Sequence, residues 1–394
     1  MVKEIVFHLG DHKTGSTSIQ AVLRNDAIKS ERTIGYPDVR LHHGQIPKAI
    51  MAPRAGQGIA AHFAKLRTMI EASDRDIQVV SAEKFELLYG SQLLAAMEEF
   101  MPEYLPQVRL IAYVRPHADR IVSSWSEQIK LGDFSGTLDE FFELHTVTQR
   151  FAFHERFKSW RDAFGDRFEL RPMVRSLLHK EDVVQDFVSY VLQNEDFNIE
   201  GETAANESLT LEDLAVMQMV NEKLDYVYTD LRQRHRTRKN ENLGKREIMA
   251  AYPANNAAAI ARNFAINLAA HKRDHATKPA FHTDLLTRVQ DHYAEDAAAL
   301  DNTFFEGTPM TDALQASTKK AVTEPQNLDA NALLTPEENR LAQVMTDFIG
   351  RVALIAPKEW NKFFSVERTG AIYDILTSKE GFSIGGVKQR KKRQ

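Results

Sequence analysis

Lys3-Glu4-Ile5-Val6-Phe7-His8-Leu9-Gly10-Asp11-His12-Lys13-Thr14-Gly15-Ser16-Thr17-Ser18-Ile19-Gln20 is the stretch whose reading decides the fold. Ile5 to Leu9 is a short apolar run of the kind that forms a buried parallel strand. A tight polar loop follows, carrying Gly10, Gly15 and Lys13. Ser16, Thr17 and Ser18 are good N-capping residues, and Ile19, Val22 and Leu23 then take helical spacing. Strand, glycine-containing loop and helix start together form an anion cradle, with main-chain N–H groups and the helix dipole converging on it. The glycine spacing is that of a nucleotide-binding Gly-x-x-x-x-Gly-Lys-Ser/Thr loop. Ser16, however, stands where that loop needs lysine, and the lysine, Lys13, lies inside the loop instead. A magnesium-nucleotide site would not be expected to move that residue.

A chain of 394 residues is long enough for one large domain with an extension, or for two domains. Its net charge of −5 argues against a general nucleic-acid binder, whose footprint is strongly basic. There are no cysteines, which excludes disulfides, thiolate metal sites and cysteine nucleophiles. The start of the chain enters a strand at once, leaving no room for a signal peptide, and no apolar run approaches the ~20 residues of a membrane span. A soluble, cytoplasmic protein is the expectation.

Further along, the first helix is expected over Ser16 to about Ile28, and 30–57 reads as irregular, broken by Gly35-Tyr36-Pro37, Gly44, Pro47 and Pro53. Within it lies Arg40-Leu41-His42-His43. Gly58 to Ala72 returns to helical spacing, and Asp76 to Ser81 gives a second strand, followed by Ala82-Glu83-Lys84-Phe85. A helix over Ser91 to Phe100 leads to a third strand, Val108 to Val114. Alternating strands and helices imply βαβ units with right-handed crossovers, and a ligand at the carboxyl ends of the strands. The third strand ends in Arg115, where a P-loop hydrolase delivers a magnesium-binding aspartate. Ser123 lies two turns into the next helix, at about 3.6 residues per turn, so it falls near the same side as the helix start. An arginine fork with a serine hydroxyl suits a second phosphate.

Taken together, the two segments resemble the sulfotransferases that use 3′-phosphoadenosine 5′-phosphosulfate (PAPS). His12-Lys13-Thr14-Gly15-Ser16-Thr17-Ser18-Ile19-Gln20 is similar to that family's 5′-phosphosulfate loop in bacterial carbohydrate-type members, and Arg115 with Ser123 to its 3′-phosphate motif. Trp160, Phe164-Gly165 and Arg167 to Pro172 resemble the stretch preceding the last core strand. Asp182 to Phe187 and Asn206-Glu207-Ser208-Leu209 also look like family features.

The resemblance covers roughly residues 1–305 and implies a P-loop-like three-layer α/β fold, with a central, mostly parallel sheet and a large helical C-terminal part. An α/β domain is expected over 1–307, its acceptor side the helical 205–307. A linker over 308–336, a helix from Glu337 to Ala356 and a basic tail make up 308–394. The helical half carries the stripe Leu211, Leu214, Val220, Leu224, Val227 and Leu231, the basic stretch Arg232 to Lys239 and an alanine-rich Ala250 to Ala270; Phe281 to Phe305 reads as a closing helix. The tail, Lys388-Gln389-Arg390-Lys391-Lys392-Arg393, would suit an anionic lipid or polysaccharide surface.

On this resemblance PAPS is the co-substrate. Its 5′-phosphosulfate is held by His12, Lys13, Thr14, Gly15, Ser16, Thr17 and Ser18, and its 3′-phosphate by Arg115 and Ser123. Lys13 serves the bridging oxygen of the leaving phosphate. Two cationic clamps and no strand-end aspartate imply that no metal is required. Glu83 is the first choice of general base, since Glu83-Lys84 resembles the Glu-Lys pair of Golgi-type glycan sulfotransferases, whose glutamate is the base. His43 and His42 are the runners-up, because imidazole titrates near neutral pH. The acceptor is a hydroxylated glycan, lipid or small molecule, with no nucleic acid implied. Two other readings stand beside it: a P-loop kinase or NTPase, which would respond to ATP with magnesium, and a non-catalytic nucleotide-binding module, which would bind donor without turnover.

Overall fold

A computed structural model describes residues 4–37, 42–52, 58–200, 209–237, 255–271 and 276–355. Arg40, Leu41, Asn206 to Ser208, Arg238, Lys239 and the basic tail lie outside the described residues.

Five parallel strands form the central sheet: β1 (Glu4–His8), β3 (Ile34–Gly35), β4 (Ile77–Ser81), β5 (Val108–Val114) and β6 (Phe168–Pro172), in the order β3-β4-β1-β5-β6. Crossover helices cover it as in a three-layer α/β fold. Alternation along the strands feeds two cores. Val6, Val79, Ile111 and Tyr113 pack with Ile19, Val22 and Leu23 of α1 (Ser16–Arg24) and with Val184, Phe187 and Val191 of α8 (Val183–Val191). Phe7 points the other way and meets Phe85 edge-on at 5.8 Å. On register, β1 and β4 end together at His8 and Ser81, beside Ile111, and β5 and β6 run on together to Val114 and Pro172, three residues further in the same direction. β1 is central, and the chain moves to one side of it before returning to the other at β5. The loop after β1 therefore opens at a switch point of the sheet.

Several expectations need correction. The first helix stops at Arg24, not Ile28. The Asn25 N–H closes the last turn on Ala21, and Asp26 turns left-handed at φ +53°, as Asn and Asp can at low cost. Ile28–Ser30 (β2) then pairs antiparallel with Phe197–Ile199 (β7). The 30–57 stretch is less irregular than its Gly and Pro content implies. It holds the edge strand β3 and α2 (Gln45–Met51), whose Pro47 sits in the first turn, where a missing N–H costs nothing. Pro309 likewise starts a helix, Pro309–Ala316, inside the expected linker. Other elements match: α3 (Ile59–Ala72), α4 (Gly90–Phe100), α5 (His117–Leu131) and the helices Thr283–Phe304 and Pro336–Ile355.

The chain divides into two compact units. The sheet unit comprises the described residues up to 124, 138–200 and 280–325. Within it, Asp296 of the Thr283–Phe304 helix faces His117 Nε2 at 2.8 Å and accepts the N–H groups of Phe153 and His154. The second unit is helical and comprises 125–137, 209–237, 255–271, 276–279 and 326–355. Val216, Leu334 and Ala342 form its apolar cluster with Phe264 and Leu268, and Lys223 pairs with Asp347 at 2.6 Å. No helix among the described residues is long and apolar enough to cross a membrane.

Candidate functional site

The loop after β1 is shaped by three left-handed residues, Gly10 (φ +50°), Lys13 (φ +66°) and Gly15 (φ +80°). At Gly10 a Cβ would stand 2.9 Å from the Glu83 Cα and 3.1 Å from the Ala82 carbonyl, so the loop lies main chain to main chain against the turn after β4. Gly15 is the N-cap of α1 and supplies no capping side chain, and the first turn of that helix carries no acid. The positive end of the helix dipole is thus unopposed within its own first turn. At Gly15 a Cβ would stand 2.5 Å from Val183 Cγ1, and Val183 is β-branched and stiff at χ1. Gly15→Ala is expected to cost about 2 kcal/mol or more, from left-handed backbone strain plus overpacking. A lower urea midpoint with unchanged slope would be the readout. An unchanged midpoint would contradict the left-handed cap.

Arg115 links the two sequence motifs. Its Nη1 donates to the Lys13 carbonyl at 3.1 Å and to Ser123 Oγ at 3.2 Å. The guanidinium is largely buried, and burial pulls its pKa down from the ordinary value; arginine nevertheless stays charged. The hydroxyls of the loop have differing roles. Thr14 Oγ1 donates to the Asp11 carbonyl at 2.7 Å, and Ser16 Oγ makes a long 3.4 Å contact with the same oxygen, so both close the loop on itself. Thr17 is exposed and Ser18 half-buried at the helix start.

Beneath the loop is a buried ion network that the sequence reading did not anticipate. Asp11 is fully buried, with Oδ1 accepting from Arg120 at 3.1 Å and Oδ2 from Arg156 at 3.0 Å. Arg120, almost as buried, also reaches Glu86 at 3.4 Å and Ser124 Oγ at 2.8 Å. Arg156 lies over the Phe157 ring at 4.4 Å. Burial pushes the Asp11 carboxyl up, against the pull of Arg156 and Arg120. Burial would also raise Glu86, but contacts with Asp11, His12 and Arg120 outweigh it and hold that carboxyl well below the usual range. The Asp11, His12 and Glu86 donor atoms lie within 4.8 Å of one another, close enough for a metal. Two guanidiniums already neutralise those carboxylates, so the cluster is built as an ion-pair hub rather than as a cation site. One signal for it was available: an aspartate inside an anion cradle is electrostatically wrong unless cations pair with it.

The candidate bases separate on geometry. Glu83 begins a 3-10 turn, Glu83–Leu87, directly after β4, with its side chain 35% exposed beside the loop. His43 is buried and committed to the main chain. Its Nδ1 accepts the Ser81 N–H at 3.0 Å, and its own N–H donates to the Ser81 carbonyl at 2.8 Å. That pairing puts the ring proton on Nε2 and uses the basic nitrogen within the fold. His42 is exposed, and its Nδ1 accepts the Gly44 N–H at 3.1 Å. Lys13, Arg115, Ser123 and Glu83 are thus brought to one edge of the sheet. His43 is not offered to it as a base.

A cavity of about 440 Å³ opens beside the end of β6, lined by Arg171, Leu177, Asp186 and Phe304 among others. None of the loop residues lines it, and the Arg171 charge there is engaged by Glu169 at 2.6 Å and Asp186 at 2.9 Å. Comparison with protein-family models, with curated proteins and with solved structures finds no match for this chain.

Proposed function

We propose that the chain is a sulfotransferase, moving the sulfuryl group of PAPS to a hydroxyl or amine of a glycan, lipid or small-molecule acceptor. The observation that carries this reading is the Arg115 guanidinium, bonded at once to the Lys13 carbonyl and to Ser123. It joins a phosphate-type loop to a second cationic site at the carboxyl edge of one parallel sheet, where a donor with two phosphorylated ends would need two grips. β5 delivers that arginine where a metal-dependent nucleotidase delivers an acid, and Lys13 sits within the loop rather than after it.

In this mechanism the acceptor oxygen forms a bond to sulfur as the bond from sulfur to the phosphate oxygen breaks, and Glu83 takes the acceptor proton. Lys13 and the N–H groups at the start of α1 offset the charge that develops on the departing adenosine 3′,5′-bisphosphate. The protein's contribution is orientation and fixed positive potential.

Thermal-shift titration tests the binding half of the proposal. Adenosine 3′,5′-bisphosphate without metal is expected to stabilise the protein, by about 2.7 kcal/mol at a hundredfold excess over Kd, while ATP with magnesium is not. Arg115→Ala is expected to weaken adenosine 3′,5′-bisphosphate by roughly ten- to a hundredfold, the worth of a charge-assisted bond, and to weaken adenosine 5′-phosphosulfate much less. Equal losses for both ligands would mean that the arginine acts through the Lys13 carbonyl and the loop rather than on the 3′-phosphate. A response to magnesium ATP alone would favour a kinase.

A further inference from the structure

His12 stands between two acids on the turn after β4. Its Nδ1 is in ion-pair contact with Glu86 Oε1, and its Nε2 is 3.8 Å from Glu83 Oε2. Its main-chain N–H donates to Asp11 Oδ1 at 2.9 Å and to Glu86 Oε2 at 3.2 Å, so backbone and ring are fixed from the same side. The two acids differ in freedom. Glu86 is 8% exposed and belongs to the Asp11–Arg120–Arg156 hub, whereas Glu83 is 35% exposed and His12 is the basic side chain in ion-pair range of it among the described residues. A buried, immobile carboxylate thus holds a ring, and the ring faces a carboxylate that is open to an incoming molecule.

We propose that His12, clamped by Glu86, is a positioning residue for Glu83: its imidazolium holds the Glu83 carboxylate against the phosphate loop, beside Lys13, in the orientation needed to receive the acceptor's proton. The role of Glu83 as base rests on the sulfotransferase reading; the hold of His12 on it does not. Once neutral, the ring carries no charge to attract the Glu83 carboxylate and the hold is released. Five groups set that equilibrium: Glu86 and Glu83 on the turn, Asp11 in the loop, Arg120 on α5 and Arg156 on α7 (His154–Phe164). Burial works against the imidazolium and so does the charge of Arg120, but Glu86 and Glu83 prevail and raise the His12 pKa above its ordinary value. A raised folded value means that the stabilisation is fully present below about pH 6.5, the unfolded value, and disappears as pH rises through the folded one.

The test is an NMR titration of the His12 ring in the full chain without ligand, comparing wild type with Glu83→Gln. The His12 midpoint is expected above the ordinary histidine value in wild type and lower in Glu83→Gln; an unchanged midpoint overturns the proposal. The functional arm uses His12→Gln, which keeps the main-chain N–H. Affinity for adenosine 3′,5′-bisphosphate is measured beside it, so that any loss of donor grip from this loop residue is separated from the loss of rate. Turnover of radiolabelled PAPS on an acceptor panel should fall by roughly ten- to a hundredfold, as expected of a misplaced catalytic group. His12→Gln with Glu83→Gln together should be no slower than Glu83→Gln alone; multiplying losses would show that the two act separately and overturn the proposal. If adenosine 3′,5′-bisphosphate does not bind wild type, the sulfotransferase reading fails, while the NMR arm still decides whether His12 holds Glu83.

Discussion

Lys13→Ala is expected to reduce sulfuryl transfer by at least 10²–10³-fold, the usual cost of removing one preorganised group aimed at developing charge, about 2.7–4 kcal/mol. The loop should survive the change. Its shape depends on the Lys13 carbonyl, which Arg115 still reaches in the variant, and on Gly10 and Gly15, none of which needs the lysine side chain. Alanine meets the left-handed backbone at position 13 with much the same strain as lysine does. The expected signature is therefore lost transfer of labelled sulfate, with an unchanged melting curve and a smaller loss of adenosine 3′,5′-bisphosphate affinity. Lys13→Arg should not restore the rate, because a planar fork cannot follow the leaving oxygen as a mobile ammonium can. Turnover near that of wild type would sink the mechanism.

The largest effect on stability is expected at Arg120, which no reading of the loop motif includes. Arg120→Met removes one of two guanidiniums facing Asp11 and leaves Asp11 and Glu86 buried with too little positive charge. Breaking a buried pair in this way costs about 3–5 kcal/mol. Adding Asp11→Asn removes a negative charge in turn, so the double variant should be more stable than Arg120→Met alone, a coupling that a double-mutant cycle reads directly. The loss should also shrink at acid pH, where a stranded carboxylate can take up a proton instead. Chemical denaturation at pH 5 and pH 8 would measure both effects. A loss under about 1 kcal/mol, of the size seen for exposed pairs, would mean that the hub does not anchor the loop.

How much of this was legible in the sequence depends on the range of the interaction. β1, β4 and β5 and the glycine loop could be read from the chain because a buried parallel strand is a run of adjacent apolar residues, as in Ile5 to Leu9. The pairing of Arg115 with Ser123 could be read because it lies within one turn-plus-helix segment. α2 was hidden by Gly44 and Pro47, which break helices in their interiors but are tolerated at their starts, and β3 is only two residues long and ends in Gly35. The β2–β7 ladder joins residues far apart, and Ile28–Ser30 alone is too short to show a period. The Asp11 hub was the least legible. Its members come from the loop, the turn after β4, α5 and α7, and charges that converge only in three dimensions leave no periodic trace.

The approach of Gly10 to the Ala82–Glu83 main chain has an evolutionary consequence. Because the spacing between loop and turn is set by main chain against main chain, a change of side chain at position 83 leaves the close approach itself in place. The residue carried there can change while the scaffold stays in register. Position 10 has no such latitude: any side chain would push the two segments apart and uncouple both halves of the site at a single step.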